Sequence, residues 1–152
     1  MTIKQVVIDV DGVLTDGKQY IDHTGTKLFK AFHTRDIRAI RELVANGIAV
    51  ILVSADDWEG AIKWAERVGA SFVCARDKFA FVLGARFDPE ETAIIGDDAW
   101  DVAALKWASM AYCPMDADDF VLEDRHVRVL SCFAGQGVIA HLVRMAKIEG
   151  WL

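Results

Sequence analysis

Asp9 and Asp11, Ser54, Lys78 and the group Asp97, Asp98 and Asp101 carry the side chains in this chain best suited to chemistry. Asp9 and Asp11 are spaced i, i+2 at the end of the apolar run Val6-Val7-Ile8. Alternation along a strand would place both carboxylates on one face, at the strand's carboxyl end, where open α/β sheets bind ligands. Two like charges that close need a cation, a shared proton or a ligand. Asp9 and Asp97 offer hard oxygen ligands of the kind Mg²⁺ prefers. Ser54 and Lys78 are donors for the equatorial oxygens of a phosphoryl group in flight, and a carboxylate can attack phosphorus. The second aspartate of the pair is placed to pass a proton to a leaving alcohol and take one from water. Taken singly, these residues are also an acidic turn, a loop hydroxyl, a solvated lysine and a helix cap. Their common place after successive strands is what the set has beyond those separate roles.

The elements that must position them alternate between short apolar runs and helical patterns, which predicts a doubly wound α/β parallel sheet in a single domain, residues 1–152. Strands are expected at Gln5–Val10, Ile48–Val53, Ser71–Cys74, Thr92–Ile95, Met110–Cys113 and Val127–Leu130. The first helix should start with Thr34 as its N-cap and stop at Gly47, with Ile37, Ile40, Leu43 and Val44 facing inward. The second should take Asp56 as N-cap, with Glu59 three residues on, and end at Gly69. Further helices are expected around Lys78–Leu83, Ala99–Trp107 and Val138–Ile148. Between the first strand and the first helix, Lys18–Asp22 and Lys27–Ala31 flank His23-Thr24-Gly25-Thr26, the pattern of a β-hairpin spanning residues 18–31.

With 152 residues and 53% apolar content the chain can bury a real core. Its net charge of −6, without a Lys/Arg cluster, argues against a nucleic-acid surface. No apolar run approaches the ~20 residues of a membrane span, and the N-terminus lacks the pattern of a signal peptide. Cys74, Cys113 and Cys132 are odd in number and widely spaced, as expected of thiols in a reducing cytoplasm.

Asp9-x-Asp11-Gly12-Val13-x-Thr15, Ser54, Lys78 and Gly96-Asp97-Asp98-x-x-Asp101 resemble the four motifs of the haloacid dehalogenase superfamily of phosphohydrolases, over essentially the whole chain. The resemblance implies Asp9 as nucleophile and Asp11 as general acid/base that also lends a backbone carbonyl to Mg²⁺. It makes Asp97 the other metal ligand, with Asp98 or Asp101 supporting it. Asp9-Val-Asp-Gly-Val-Leu-Thr-Asp-Gly17, the hairpin with Gly25, and Lys30-Ala-Phe-His-Thr-Arg-Asp36 are similar to the capless 3-deoxy-D-manno-octulosonate 8-phosphate phosphatase subgroup. His33 and Arg35, near the start of the first helix, are expected substrate contacts. The stretch from Ser54 to Lys78 leaves no room for a cap domain, and an open site suits phosphoryl transfer poorly. The subgroup closes it by forming a homotetramer. Tyr20, Ile21, Leu28 and Phe29 give the hairpin the apolar surface such an assembly needs.

Departures from the subgroup cluster around the substrate. Ser54-Ala55-Asp56-Asp57 lacks the arginine or glutamate that follows the second motif, Ile37 stands where glycine is common, and Ala134-Gly135-Gln136-Gly137 lacks an arginine. Trp58, Trp64, Trp100 and Trp107 have the spacing of packing residues, although Trp58 and Trp100 each sit just past a motif. The expected activity is Mg²⁺-dependent hydrolysis of a small phosphorylated sugar or keto-sugar acid through an aspartyl-phosphate. The alternatives are a regulatory or binding homologue with weak catalysis and a phospho-receiver module.

Overall fold

The computed structural model describes residues 2–152. In chain order its elements are β1 (Gln5–Asp9), β2 (Tyr20–Ile21), β3 (Lys27–Phe29), α1 (Thr34–Ala45), β4 (Ala49–Ser54), α2 (Glu59–Val68) and β5 (Ser71–Cys74). There follow α3 (Lys78–Gly84), β6 (Thr92–Ile95), α4 (Val102–Trp107), β7 (Met110–Cys113), α5 (Asp119–Leu122), β8 (Val127–Val129) and α6 (Val138–Glu149).

Six strands form one parallel sheet in the order β5-β4-β1-β6-β7-β8. From β1 the chain winds outward through β4 to β5, then crosses back to β6 on the other side of β1. The strand order therefore reverses between β1 and β6, and the carboxyl ends part there to leave a crevice. Every residue of β1, β6 and β7 is buried, which is why these strands read as continuous apolar runs rather than alternating ones. Alternate residues serve two cores. Val6, Ile8, Val50 and Leu52 pack under α1, α2 and α6, whereas Val7, Ile51, Val53 and Ile94 pack against α3 and α4.

The expected strands appear within a residue at each end. Three helical expectations are corrected. α1 is capped by His33, whose Nδ1 accepts from the Arg35 amide at 3.1 Å, so Thr34 is already inside the helix. Val44 is exposed rather than inward-facing, because the sheet takes only the Ile40/Leu43 stripe. α2 starts after Trp58, and Asp56 is not its cap; that carboxylate is drawn toward lysines of the hairpin. The turn at Pro89–Glu91 and the one-turn helix α5 are additions, each too short for a periodic signal.

Asp36 joins the two ends of this layout. Its Oδ1 accepts from the amides of Ile139 and Ala140 at 2.9 and 3.1 Å, tying α1 to the otherwise uncapped start of α6. Burial pushes the Asp36 carboxyl up to about 6 against those two hydrogen bonds. Of the cysteines, Cys113 and Cys132 are buried and Cys74 is exposed on the edge strand β5. Trp64 stacks on Phe32 with ring centroids 4.3 Å apart, a packing role. No helix among the described residues is long and apolar enough to cross a membrane.

Candidate active site

Asp9 closes β1, Asp11 follows it by two residues, Ser54 closes β4, Lys78 opens α3 and Asp97 lies two residues beyond β6. The parallel register that pairs Asp9 with Val53 and Ile8 with Ile95 sets these strand ends side by side. Gly12 is required for the approach. Its φ is +96°, and a Cβ there would come within 1.9 Å of Asp97 Oδ2. Any side chain would thus drive the first loop out of contact with the β6 loop.

Lys78 Nζ sits 2.7 Å from Asp9 Oδ1 and 2.5 Å from Asp101 Oδ1, with all three side chains buried. Asp101 Oδ2 also accepts from the amides of Asp97 and Asp98 at 3.0 and 3.4 Å. One carboxylate therefore shapes the β6 loop and aims the lysine. Burial works against the charge on Lys78, yet Asp9 and Asp101 hold its pKa above the ordinary lysine value. Burial likewise pushes Asp9 well above the usual carboxylate range, against the pull of Lys78, with Asp101 and Asp97 pushing the same way. Asp97 is pushed up to about 7 by burial, with Asp101 and Asp98 adding.

Ligand oxygens of Asp9, Asp97 and Asp101 all lie within 4.8 Å of one another. Asp97 Oδ1 is buried and has no hydrogen-bond partner. Three carboxylates face one ammonium, so the cluster carries excess negative charge and an unfilled hard-oxygen donor. That set fits a divalent cation such as Mg²⁺.

Asp11 lines the same cavity on its flap side. Lys30 Nζ, just past β3, lies 2.7 Å from Asp11 Oδ1 and 2.8 Å from Oδ2, and Ser54 Oγ donates to Oδ2 at 3.1 Å. Thr15 Oγ1 is 3.4 Å from Oδ1. Lys30 also reaches Asp56 Oδ2 at 2.9 Å, and Lys27 pairs with that same oxygen. The two lysines pull the Asp56 carboxyl below its ordinary range although its partial burial opposes this. The hairpin is thus latched over the strand ends by three lysine–carboxylate pairs.

The cavity between these groups has a volume of about 440 Å³. Asp9, Asp11, Ser54, Lys78 and Asp98 form its floor; Gly17, Gln19 and Lys27 belong to the flap side, and Asp56, Arg76 and Trp100 stand at the mouth. Trp100 is 76% exposed there, whereas Trp58 folds over Gly60 outside the cavity. His33 and Arg35 do not line the cavity. They lie beside Gly137, and Arg35 borders a separate groove between α1 and α6 with Arg38 and Arg144. α1 carries both side chains toward the loop that precedes α6. Lys27, Lys30 and Arg76 were not singled out by spacing. The lysines' partners are 19 to 29 residues away in the latch, and Arg76 has none among the described residues, so spacing alone does not mark them.

No family-wide sequence profile matches this chain. Individual proteins do. It is 32% identical over 149 residues to the 3-deoxy-D-manno-octulosonate 8-phosphate phosphatase of Haemophilus influenzae, a match covering 94% of this chain and 82% of that one. The Yersinia pestis enzyme of the same name is 28% identical over 159 residues, covering 97% and 84%. The solved cobalt-bound form of the Haemophilus influenzae phosphatase superposes with a TM-score of 0.87 at 31% identity, covering 98% of this chain and 90% of the other.

A capless doubly wound sheet with its acidic cluster at the β1/β6 crevice defines a phosphohydrolase of the haloacid dehalogenase type. Within that class, the chain belongs to the 3-deoxy-D-manno-octulosonate 8-phosphate phosphatase family.

Proposed function

We propose that this protein is a Mg²⁺-dependent phosphomonoesterase that removes phosphate from a keto-sugar acid of the 3-deoxy-D-manno-octulosonate 8-phosphate type, or a nine-carbon analogue. The observation that carries the reading is the buried Asp9–Lys78–Asp101 chain beside the unsatisfied Asp97 oxygen, at the end of the central strand. The relatives named above are phosphatases for this substrate.

Asp9 attacks phosphorus in line with the ester oxygen. The P–O bond to the sugar breaks as the aspartyl-phosphate forms. Asp11 delivers a proton to the departing alkoxide, then takes one from the water that hydrolyses the acyl-phosphate. Lys78 and Ser54 donate to the equatorial oxygens, where charge collects in the transition state. Asp9, Asp97 and the backbone carbonyl of Asp11 would hold Mg²⁺, supported by Asp98 and Asp101; when bound, the ion offsets the charge between the carboxylates and the phosphate. Asp101 keeps Lys78 aimed into the site throughout. A phospho-receiver role is disfavoured, since Ser54 rather than an aspartate closes β4.

The flap leaves Ile21, Leu28 and Phe29 more than half exposed, which supports a homotetramer in which neighbouring chains cover these faces. Cys74, Cys113 and Cys132 are all free, in keeping with a reducing cytoplasmic setting. The substrate reading is tested by phosphate release from a panel of sugar phosphates with Mg²⁺ or with a chelator. The eight- and nine-carbon keto-acid esters are expected to lead the panel, with turnover lost to the chelator and restored by Mg²⁺. Preference for a neutral aldose phosphate would overturn the assigned substrate class.

A further inference from the structure

The non-phosphate half of such a substrate carries a carboxylate, and the cations in and beside the cavity are nearly all committed. Lys78 is shared between Asp9 and Asp101, Lys30 between Asp11 and Asp56, and Lys27 is paired with Asp56. Asp56, which stands where an arginine or glutamate is usual, would by itself repel a sugar acid; two lysines neutralise it instead. One cation lining the cavity remains. Arg76 lies in the loop after β5, two residues before Lys78, exposed and with no ion pair or hydrogen bond among the described residues. Trp100 lines the same cavity from the β6 loop, 76% exposed, and its indole stacks on no aromatic ring among the described residues.

We infer that Arg76 and Trp100 form the leaving-group subsite, with the Arg76 guanidinium binding the sugar-acid carboxylate and the Trp100 indole covering a face of the sugar. The inference rests on the phosphatase reading and specifies how that site selects its substrate. A free guanidinium is the side chain suited to a carboxylate, since it offers paired N–H donors in a planar fork. A single-residue lysine substitute keeps the charge but loses the fork. The indole supplies a broad apolar plane of the kind that packs on the C–H face of a sugar ring. Both groups reach the cavity from loops following strand ends, so they meet the half of the substrate that projects away from the sheet. In this chain the anion clamp has moved from the loop after β4 to the loop after β5.

The test compares kcat/KM for 3-deoxy-D-manno-octulosonate 8-phosphate and for p-nitrophenyl phosphate, which has no carboxylate, in the wild type, Arg76→Ala, Arg76→Lys and Trp100→Ala. Arg76→Ala is expected to lower the preference for the sugar acid roughly 10–100-fold, mainly through KM, with Arg76→Lys recovering only part of it. Trp100→Ala should raise KM for the sugar acid about 3–10-fold. Equal losses on both esters, or none on either, would overturn the subsite while leaving the phosphatase reading intact. Failure of the wild type to turn over the eight-carbon ester, with p-nitrophenyl phosphate still hydrolysed, would overturn the subsite and the substrate class together but not the phosphoryl chemistry. Failure on both esters would overturn the phosphatase reading itself.

Discussion

The floor and the mouth of the cavity are built by different rules. On the floor, Asp9 and Ser54, with Asp97 beside them, are fixed by where parallel strands stop, and the register between β1, β4 and β6 leaves them little freedom. At the mouth, Lys27, Asp56, Arg76 and Trp100 come from the hairpin and from three loops, held by ion pairs and short-range loop hydrogen bonds rather than by strand register. A strand end can be moved only by disturbing the sheet. A loop residue can be exchanged at the cost of one pair. The two regions therefore divide the work: the floor sets the reaction, and the mouth sets what is brought to it.

The sharpest break between them is expected at Asp9. Asp9→Asn removes the nucleophile and should depress kcat by roughly 10⁴–10⁶ on every ester, whatever its leaving group. The fold should survive, because Lys78 keeps its second carboxylate, Asp101, when the Asp9 charge is lost, and burial already weighs against that charge. Circular dichroism and a melting temperature no lower than the wild type's would establish that. A variant that still turned over p-nitrophenyl phosphate at the wild-type rate would move the chemistry off the strand end.

Lys30 lies on the boundary, since it touches both Asp11 of the floor and Asp56 of the mouth. Lys30→Met leaves those two carboxylates close together without the shared cation. If its main task is to hold Asp11 for proton transfer, kcat should fall about 10–100-fold on sugar and p-nitrophenyl esters alike. Asp56→Asn in the same chain should then recover part of the loss, as expected of coupled charges. A loss confined to KM for the sugar acid would place Lys30 with the mouth and erase the boundary drawn here.

How much of each region can be read in the sequence follows the same division. The floor was legible because chemistry-bearing residues at the ends of apolar runs occupy the positions that a parallel sheet brings together. Ser71–Cys74, Thr92–Ile95 and Met110–Cys113 are strands at the expected residues. The mouth was not. Asp56 with Glu59 three residues on has the pattern of a capping box, but its Oδ1 accepts from the Trp58 amide ahead of the helix while Lys27 and Lys30, from a hairpin 26 and more residues upstream, take Oδ2. His33 took the capping role expected of Thr34 because its Nδ1 reaches the Arg35 amide. His33 and Arg35 then lie away from the cavity, since sequence proximity to the hairpin says nothing of the direction in which α1 leaves it. Long-range ion pairs decide the mouth, and they have no local signature.

Asp36 provides the control that separates fold from site. It is buried, its Oδ2 lacks a partner, and burial pushes its pKa up to about 6 despite the Ile139 and Ala140 amides. Because the folded value lies above the unfolded one, the native state binds the extra proton between about pH 4 and pH 6. Stability from this group is present below that window and falls as pH rises through it. The wild type, with Mg²⁺ saturating so that the acidic cluster is neutralised, should therefore lose stability between about pH 4 and pH 6 that Asp36→Asn does not lose. A shift of this size corresponds to roughly 3 kcal/mol at most, or about 5–10 °C in melting temperature. The kcat of Asp36→Asn should change by less than about threefold, since the side chain ties α1 to α6 well behind the cavity. Parallel melting curves for the two proteins across pH would show instead that the carboxylate is already neutral or compensated in the folded chain. A large fall in kcat would mean that the α1–α6 tie sets the position of the flap, and that the mouth is governed from the back of the sheet as well as by its own ion pairs.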